Sequence, residues 1–128
     1  MTAVLFTCAG QRVDIVGAFG DAGATTVAAD VNPLAPALYH ADAYALVPRV
    51  DDDGYVAALR GIVDEHDVRL VVPLTDLDQS TLATRRDELG ALLLLPDVDI
   101  VEQLSDKYRA HELFEERGVP SPPTWLPT

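Results

Sequence analysis

Basic side chains are scarce in this chain. Lys107 is the single lysine among nine basic residues, set against 21 acidic ones, for a net charge of −12 over 128 residues. A nucleic-acid partner needs lysine and arginine gathered on one face, and the sequence offers no such face. Cysteine is scarcer still: Cys8 stands alone, which excludes an internal disulfide. No apolar run approaches the roughly 18 residues that span a bilayer, and no basic segment followed by an apolar stretch opens the chain. The expected compartment is the cytoplasm. Neither the nucleophile elbow G-x-S-x-G nor the phosphate loop G-x-x-x-x-G-K-[ST] occurs. His40, His66 and His111 lack the mutual spacing of metal ligands. No self-contained catalytic set and no metal site are expected.

What is present is an alternation of apolar runs and helical patterns. The stretch from Ala3 to Phe19, AVLFTCAGQRVDIVGAF, passes from an apolar run through a turn at Gly10 into apolar residues at helical spacing (Val13, Val16, Gly17). Asp21 and Gly23 stop that helix, and ATTVAAD reads as a second strand ending in Asp30. Asn32, Pro33 and Pro36 break the pattern, leaving at most a short helix between Leu34 and Ala41. Ala43 to Val47 reads as a third strand. Asp51, Asp52 and Asp53 then precede a helix carrying Tyr55, Val56, Leu59, Ile62 and Val63 on one face, and the acids are expected as its N-cap and first-turn charges. Three adjacent carboxylates at a helix start cannot all point at one ion, which opposes a divalent-metal reading.

Arg69 to Pro73 is an apolar fourth strand, suited to a buried parallel position. Its end opens a helix expected to run from about Leu74 to Leu89; Gly90 stops it, and ALLLLP is the fifth strand. The segment from Asp97 to Gly118 is helical by period, with a break expected at Ser105 and Asp106, and an extended proline-rich tail follows. Strands and helices at this spacing specify an α/β fold: a Rossmann-like three-layer sandwich around a five-stranded, mainly parallel sheet, with a C-terminal linker helix.

In such a sheet the carboxyl edge of the strands receives ligands. The first turn has one glycine where the dinucleotide fingerprint wants three, although Asp30 follows Gly10 by the 20 residues expected of a ribose-binding acid. The amides near Gln11, Arg12 and Val13, with the Arg12 guanidinium, suit a small anion; the alternative is that Arg12 pairs with Asp14. Asp76 and Asp78 lie on the same edge and can accept from a hydroxyl or ammonium group, with helix capping as the competing role, preferred for Asp78. Cys8 is expected as a small buried side chain, the alternative being a thiol that faces the crevice.

Three stretches together resemble the N-terminal portion of ATP-grasp enzymes, in particular the carbamoyl-phosphate synthase large-subunit-like carboxylate ligases. They are VLFTCAGQRVDIVGAF, DVNPLAPALYHADAYALVP and, most specific, the closing DKYRAHELFEERGVPSPPTW. The resemblance implies a Rossmann-like domain over residues 1–104 and, over 105–128, the linker into an ATP-grasp domain. It further implies that Lys107 reaches the ATP phosphates in the complete enzyme, the alternative being a solvated lysine paired with Asp106 or Glu102. Gln11, Arg12 and Asp76 would face a carboxylate or amine substrate, with Gly10 and Asp30 beside them. ATP and Mg2+ are then cofactors of a longer parent whose remaining domain holds the clamp, and these residues alone are expected to be a catalytically incomplete piece that binds neither tightly. Two other readings stay open: a free-standing nucleotide or metabolite binding module, suggested by Asp30 and the Gly10 turn, and a homodimerisation domain, suggested by Trp125 and Leu126 in the tail.

Overall fold

Strand β1, Ala3–Thr7, is buried along its whole length, and the fold is arranged about it. The computed structural model describes every residue from Met1 to Thr128. It divides into two compact units, Met1–Leu95 and Pro96–Thr128.

In the first unit, β1 is followed by α1 (Val13–Asp21), β2 (Thr25–Asp30), α2 (Pro36–His40), β3 (Ala43–Leu46), α3 (Tyr55–His66), β4 (Val68–Pro73), α4 (Gln79–Thr84), a 3-10 turn (Arg86–Glu88) and β5 (Leu92–Leu93). The five strands are all parallel and run in the order β3-β2-β1-β4-β5. The expected Rossmann-like α/β sandwich is therefore what the chain forms. Alternation of side chains along each strand feeds two separate cores. Leu5, Val27, Ala29 and Val71 join Tyr55, Leu59 and Leu82 on the α3/α4 face. Phe6, Ala28 and Val72 join Val16 and Leu38 on the α1/α2 face. Leu5 and Phe6 are both 0% exposed on opposite faces of one strand, each worth about 1.5–3 kcal/mol of burial.

Strand β4 departs from simple alternation. Its register against β1 passes from Ala3↔Val68 to Val4↔Leu70, so Arg69 is a bulge residue left exposed. The bulge lets Val68 and Val71, an odd number of residues apart, enter the same core.

Three expected elements are modified. The acidic run does not cap α3: the helix begins at Tyr55 after Gly54 with no side-chain cap. The amides of Asp52 and Tyr55 are taken by turn bonds to Arg49 and Asp52 carbonyls, Asp52 accepts from the Gly54 amide at 2.7 Å, and Asp51 pairs with Arg49. The helix expected over 74–89 is confined to α4 and the 3-10 turn. Thr84 Oγ1 bonds back to the Ser80 carbonyl at 2.8 Å, a local competitor for the helical backbone, and Arg85 leaves helical geometry. The fifth strand keeps only two residues: after the Leu94 amide, which bonds to the Val71 carbonyl, the Leu95 amide folds back to the Leu93 carbonyl and Pro96 has no amide to offer, while Arg86 bonds the carbonyls of Leu93 and Leu95.

The second unit holds α5 (Val98–Ser105) and α6 (Lys107–Glu116), broken at the expected place. Asp106 is the N-cap of α6, its Oδ1 accepting from the amides of Tyr108 and Arg109 at 2.9 and 3.1 Å. At the far end the Val119 amide reaches the Phe114 carbonyl and the Gly118 amide the Glu115 carbonyl, a Schellman closure that needs the positive φ of Gly118. The tail beyond is extended, tethered by His111 Nδ1 to Ser121 Oγ at 2.9 Å. No helix is long and apolar enough to cross a membrane. Replacing the α6 cap, Asp106→Ala, is expected to destabilise that helix by about 1 kcal/mol, read as faster hydrogen exchange at Tyr108 and Arg109 with little change at β1 amides.

Candidate functional site

The carboxyl ends of β1, β2 and β4 meet at a cleft of about 240 Å3, lined by Cys8, Gly10, Asp30, Val31, Val47, Pro48, Val50, Tyr55, Thr75 and Leu77. Its shape depends on a backbone reversal directly after β1. Cys8 and Gly10 both adopt positive φ, 47° and 51°. For the non-glycine Cys8 this costs roughly 1–2 kcal/mol, which the surrounding bonds must offset. They do so through Asp30. Its Oδ2 accepts from the Gly10 amide and its Oδ1 from the Asn32 amide, each at 2.8 Å, while the Ala9 amide donates to the Ala29 carbonyl. The Ala37 amide in turn donates to the Gly10 carbonyl at 3.0 Å, seating α2 against the reversal.

At the floor lies a buried polar chain. The Tyr55 hydroxyl, presented by the first residue of α3, donates to Asp78 Oδ2 at 2.7 Å. Cys8 Sγ lies 3.8 Å from the same hydroxyl oxygen. Because the phenolic proton points at Asp78, the oxygen lone pairs face the thiol side. Asp78 is 0% exposed, and its Oδ1, like Thr7 Oγ1, has no hydrogen-bond partner in the chain. Burial first, and then the Asp78 carboxylate, push the Cys8 thiol up to about 11 and the Tyr55 phenol far above its ordinary value. Cys8 is thus a neutral, half-buried thiol on the cleft wall and not an activated nucleophile.

The structure distributes the expected site residues unevenly. Gly10 and Asp30 are brought into direct contact and both line the cleft. Gln11 and Arg12 are exposed beside it; Arg12 forms a paired contact with Asp14 at 3.0 and 3.2 Å, which holds the Asp14 carboxyl below its usual range. The turn amides of Arg12 and Val13 already bond to the Ala9 and Gln11 carbonyls, so they are not open donors for an anion. Asp76 is an exposed residue between Thr75 and Leu77 of the cleft wall. Lys107 is the exposed first residue of α6 in the second unit.

Two residues change role. Asp78, expected as a cap, occupies the N-cap position of α4 without capping it, because its carboxylate turns inward to Tyr55. Tyr55, read from the sequence only as one of an apolar row, supplies the hydroxyl. The one available signal was the tyrosine in that row, since a buried phenolic group requires a partner. No three histidine, cysteine or acidic side chains converge as metal ligands. One lysine on a short helical unit does not make up an ATP site.

The fold and this edge define a Rossmann-like α/β domain, and the sequence match makes it an N-terminal domain of the ATP-grasp enzymes. Residues 4–94 match the family described as PylC-like, N-terminal domain. The chain belongs to that family. Among solved structures it is similar to glycinamide-RNase-transformylase T from Mycobacterium tuberculosis, with 20% identity, a TM-score of 0.71, and coverage of 96% of this chain and 38% of the other. It is also similar to N5-carboxyaminoimidazole ribonucleotide synthetase from Thermotoga maritima, with 20% identity, a TM-score of 0.72, and coverage of 96% and 32%. The biotin carboxylase domain of a single-chain bacterial carboxylase gives 25% identity and a TM-score of 0.67 over 94% of this chain and 30% of that one. The chain thus spans well under half the length of each of these structures. Comparison with curated protein sequences finds no match.

Two outcomes test the floor. Tyr55→Phe strips Asp78 of its partner inside the core and is expected to lower stability by about 1–3 kcal/mol, seen as a reduced urea midpoint. The raised Cys8 value gives stability that is complete below pH 9, the ordinary thiol value, and falls as pH rises toward 11, where the folded thiol also ionises. Alkylation of Cys8 by iodoacetamide is accordingly expected to stay slow at pH 9 in the folded chain and to reach the rate of a free thiol only on unfolding.

Proposed function

We propose that these residues form the substrate-side domain of an ATP-dependent carboxylate–amine ligase. The observation that carries this reading is the family match over residues 4–94 joined to a cleft at the carboxyl edge, where open parallel sheets receive ligands. In the complete enzyme, ATP would supply its terminal phosphate to a substrate carboxylate, and an amine would then displace phosphate from the acyl phosphate. The residues of this chain bind and orient. Gly10 and Asp30 shape the wall on which the substrate lies, Gln11, Arg12 and Asp76 form its polar rim, and Lys107 extends toward the phosphates.

Residues 105–128 are the passage into an ATP-grasp domain of the same parent chain, which supplies the nucleotide clamp and the magnesium ligands. The partial coverage of each similar structure supports this. By this reading the 128 residues alone bind ATP weakly and turn nothing over.

The test joins this chain to the sequence its gene encodes beyond Thr128 and assays ADP release with pooled carboxylates and amines. Release that requires both a carboxylate and an amine, and that falls at least about tenfold in Lys107→Ala, is the expected result. Tight, magnesium-dependent ATP binding by the 128 residues alone would overturn it.

A further inference from the structure

At the amino ends of the strands, on the edge opposite the cleft, lies a larger hollow of about 750 Å3. Thr2 precedes β1, Arg69 stands at the start of β4, and Gly90 and Ala91 lead into β5; all four line the hollow together with Arg86 and Asp87. Its charge runs against that of the molecule. The chain carries −12 overall, yet two arginines and one aspartate line this space. A third arginine, Arg60 of α3, stands over Gly90: a Cβ there would fall 2.6 to 2.9 Å from atoms of the Arg60 guanidinium.

The arginines differ in what already holds them. Arg12, Arg49, Arg60 and Arg85 each pair with a carboxylate close by in sequence, and Arg60 uses only its Nε for Asp64. Arg69 enters no ion pair, although Asp67 lies two residues away, the spacing at which Arg12 and Arg49 find their partners. Between the two stand the left-handed turn of Asp67, at φ 50°, and the bulge in β4. Arg86 is anchored by the carbonyls of Leu93 and Leu95 at 3.3 and 3.1 Å, which fixes its guanidinium in the wall.

The backbone adds neutral donors. Leu89 is right-handed, with φ −75° and ψ −30°, and Gly90 is left-handed, with φ 73°. Successive residues of opposite hand turn their amides into one concavity that suits an anion. The Leu89 amide bonds to the Arg86 carbonyl, whereas the Gly90 and Ala91 amides donate to no group in the chain. Position 90 admits only glycine, since it needs both the positive φ and the space that Arg60 occupies. Two open amides beside an unpaired guanidinium suit a tetrahedral dianion, which takes several donors at once. A long polyanion does not fit, because the acidic remainder of the chain repels it. Leu92, 75% exposed on the same wall, offers apolar surface to an organic body.

We propose that this hollow binds the phosphate group of a small phosphomonoester. The Gly90 and Ala91 amides and the Arg69 guanidinium are its donors, Arg86 is a fixed positive charge, and Leu92 lies under the body of the ester. The site goes beyond the ligase reading and lies on the opposite edge of the sheet from the cleft, so neither depends on the other. Inorganic phosphate carries the same chemistry without the body; a hollow of about 750 Å3 has the size of a small-molecule site and favours the ester.

The test titrates the 15N-labelled 128-residue chain with phenyl phosphate, inorganic phosphate and benzoate at an ionic strength held constant with sodium chloride. Saturable shifts of the Gly90 and Ala91 amides are expected with phenyl phosphate, at concentrations at least about threefold below those inorganic phosphate requires, and no saturation with benzoate. Arg69→Gln, an exposed substitution that leaves the core untouched, should weaken phenyl phosphate at least about fivefold. Asp87→Asn should tighten it by about twofold or more, and Arg109→Gln, in the second unit, should change nothing. Equal affinity in Arg69→Gln, saturation by benzoate, or shifts that sodium chloride alone reproduces would overturn the proposal. Inorganic phosphate binding as tightly as phenyl phosphate would overturn the assignment to an ester.

Discussion

One carboxylate holds the working edge of this molecule together. Asp30 grips the Gly10 amide with one oxygen and the Asn32 amide with the other, so a single side chain fixes the loops that leave two adjacent parallel strands. Charge-assisted bonds of this kind are stronger than neutral ones, and here they offset a left-handed Cys8 that would otherwise relax. With the reversal fixed, α2 docks onto the Gly10 carbonyl and the cleft wall is complete. The acid that spacing alone assigns to a ribose is thus held by its own backbone, a difference that depends on loop path and not on sequence distance.

The polar floor works by the opposite logic. Asp30 is satisfied on both oxygens, whereas Asp78 is buried with one oxygen unused. A protein that encloses a carboxylate in a dry core and leaves it half-satisfied forgoes stability, and such sites concentrate where ligands bind. The two acids differ in this: one builds the edge, the other lies buried against the Tyr55 hydroxyl.

The architecture was readable because it rests on periodicity. β1, β2 and β4 announce themselves as apolar runs, α1 and α3 as helical rows, and the Asp106 break and the Gly118 stop by residue type, and all of these appear in the structure. The elements that came out differently depend on contacts far apart in sequence. Asp78 leaves its cap because Tyr55, on another helix, offers a better donor. The same holds for the site. Gly10 and Asp30 could be paired by their position at neighbouring strand ends, but the Cys8–Tyr55–Asp78 chain joins three segments that no local pattern connects.

The bulge at Arg69 has a bearing on how this domain can vary. A strand buried on both faces ordinarily forbids insertion or loss of one residue, since either inverts every side chain beyond it. β4 already carries one supernumerary residue, placed at the entrance to the strand and turned to solvent, with its register restored by Leu70. A change of length by one is therefore absorbed at that point without disturbing Val71 or Val72, and the strand that leads to the cleft floor is insulated from length variation in the turn before it.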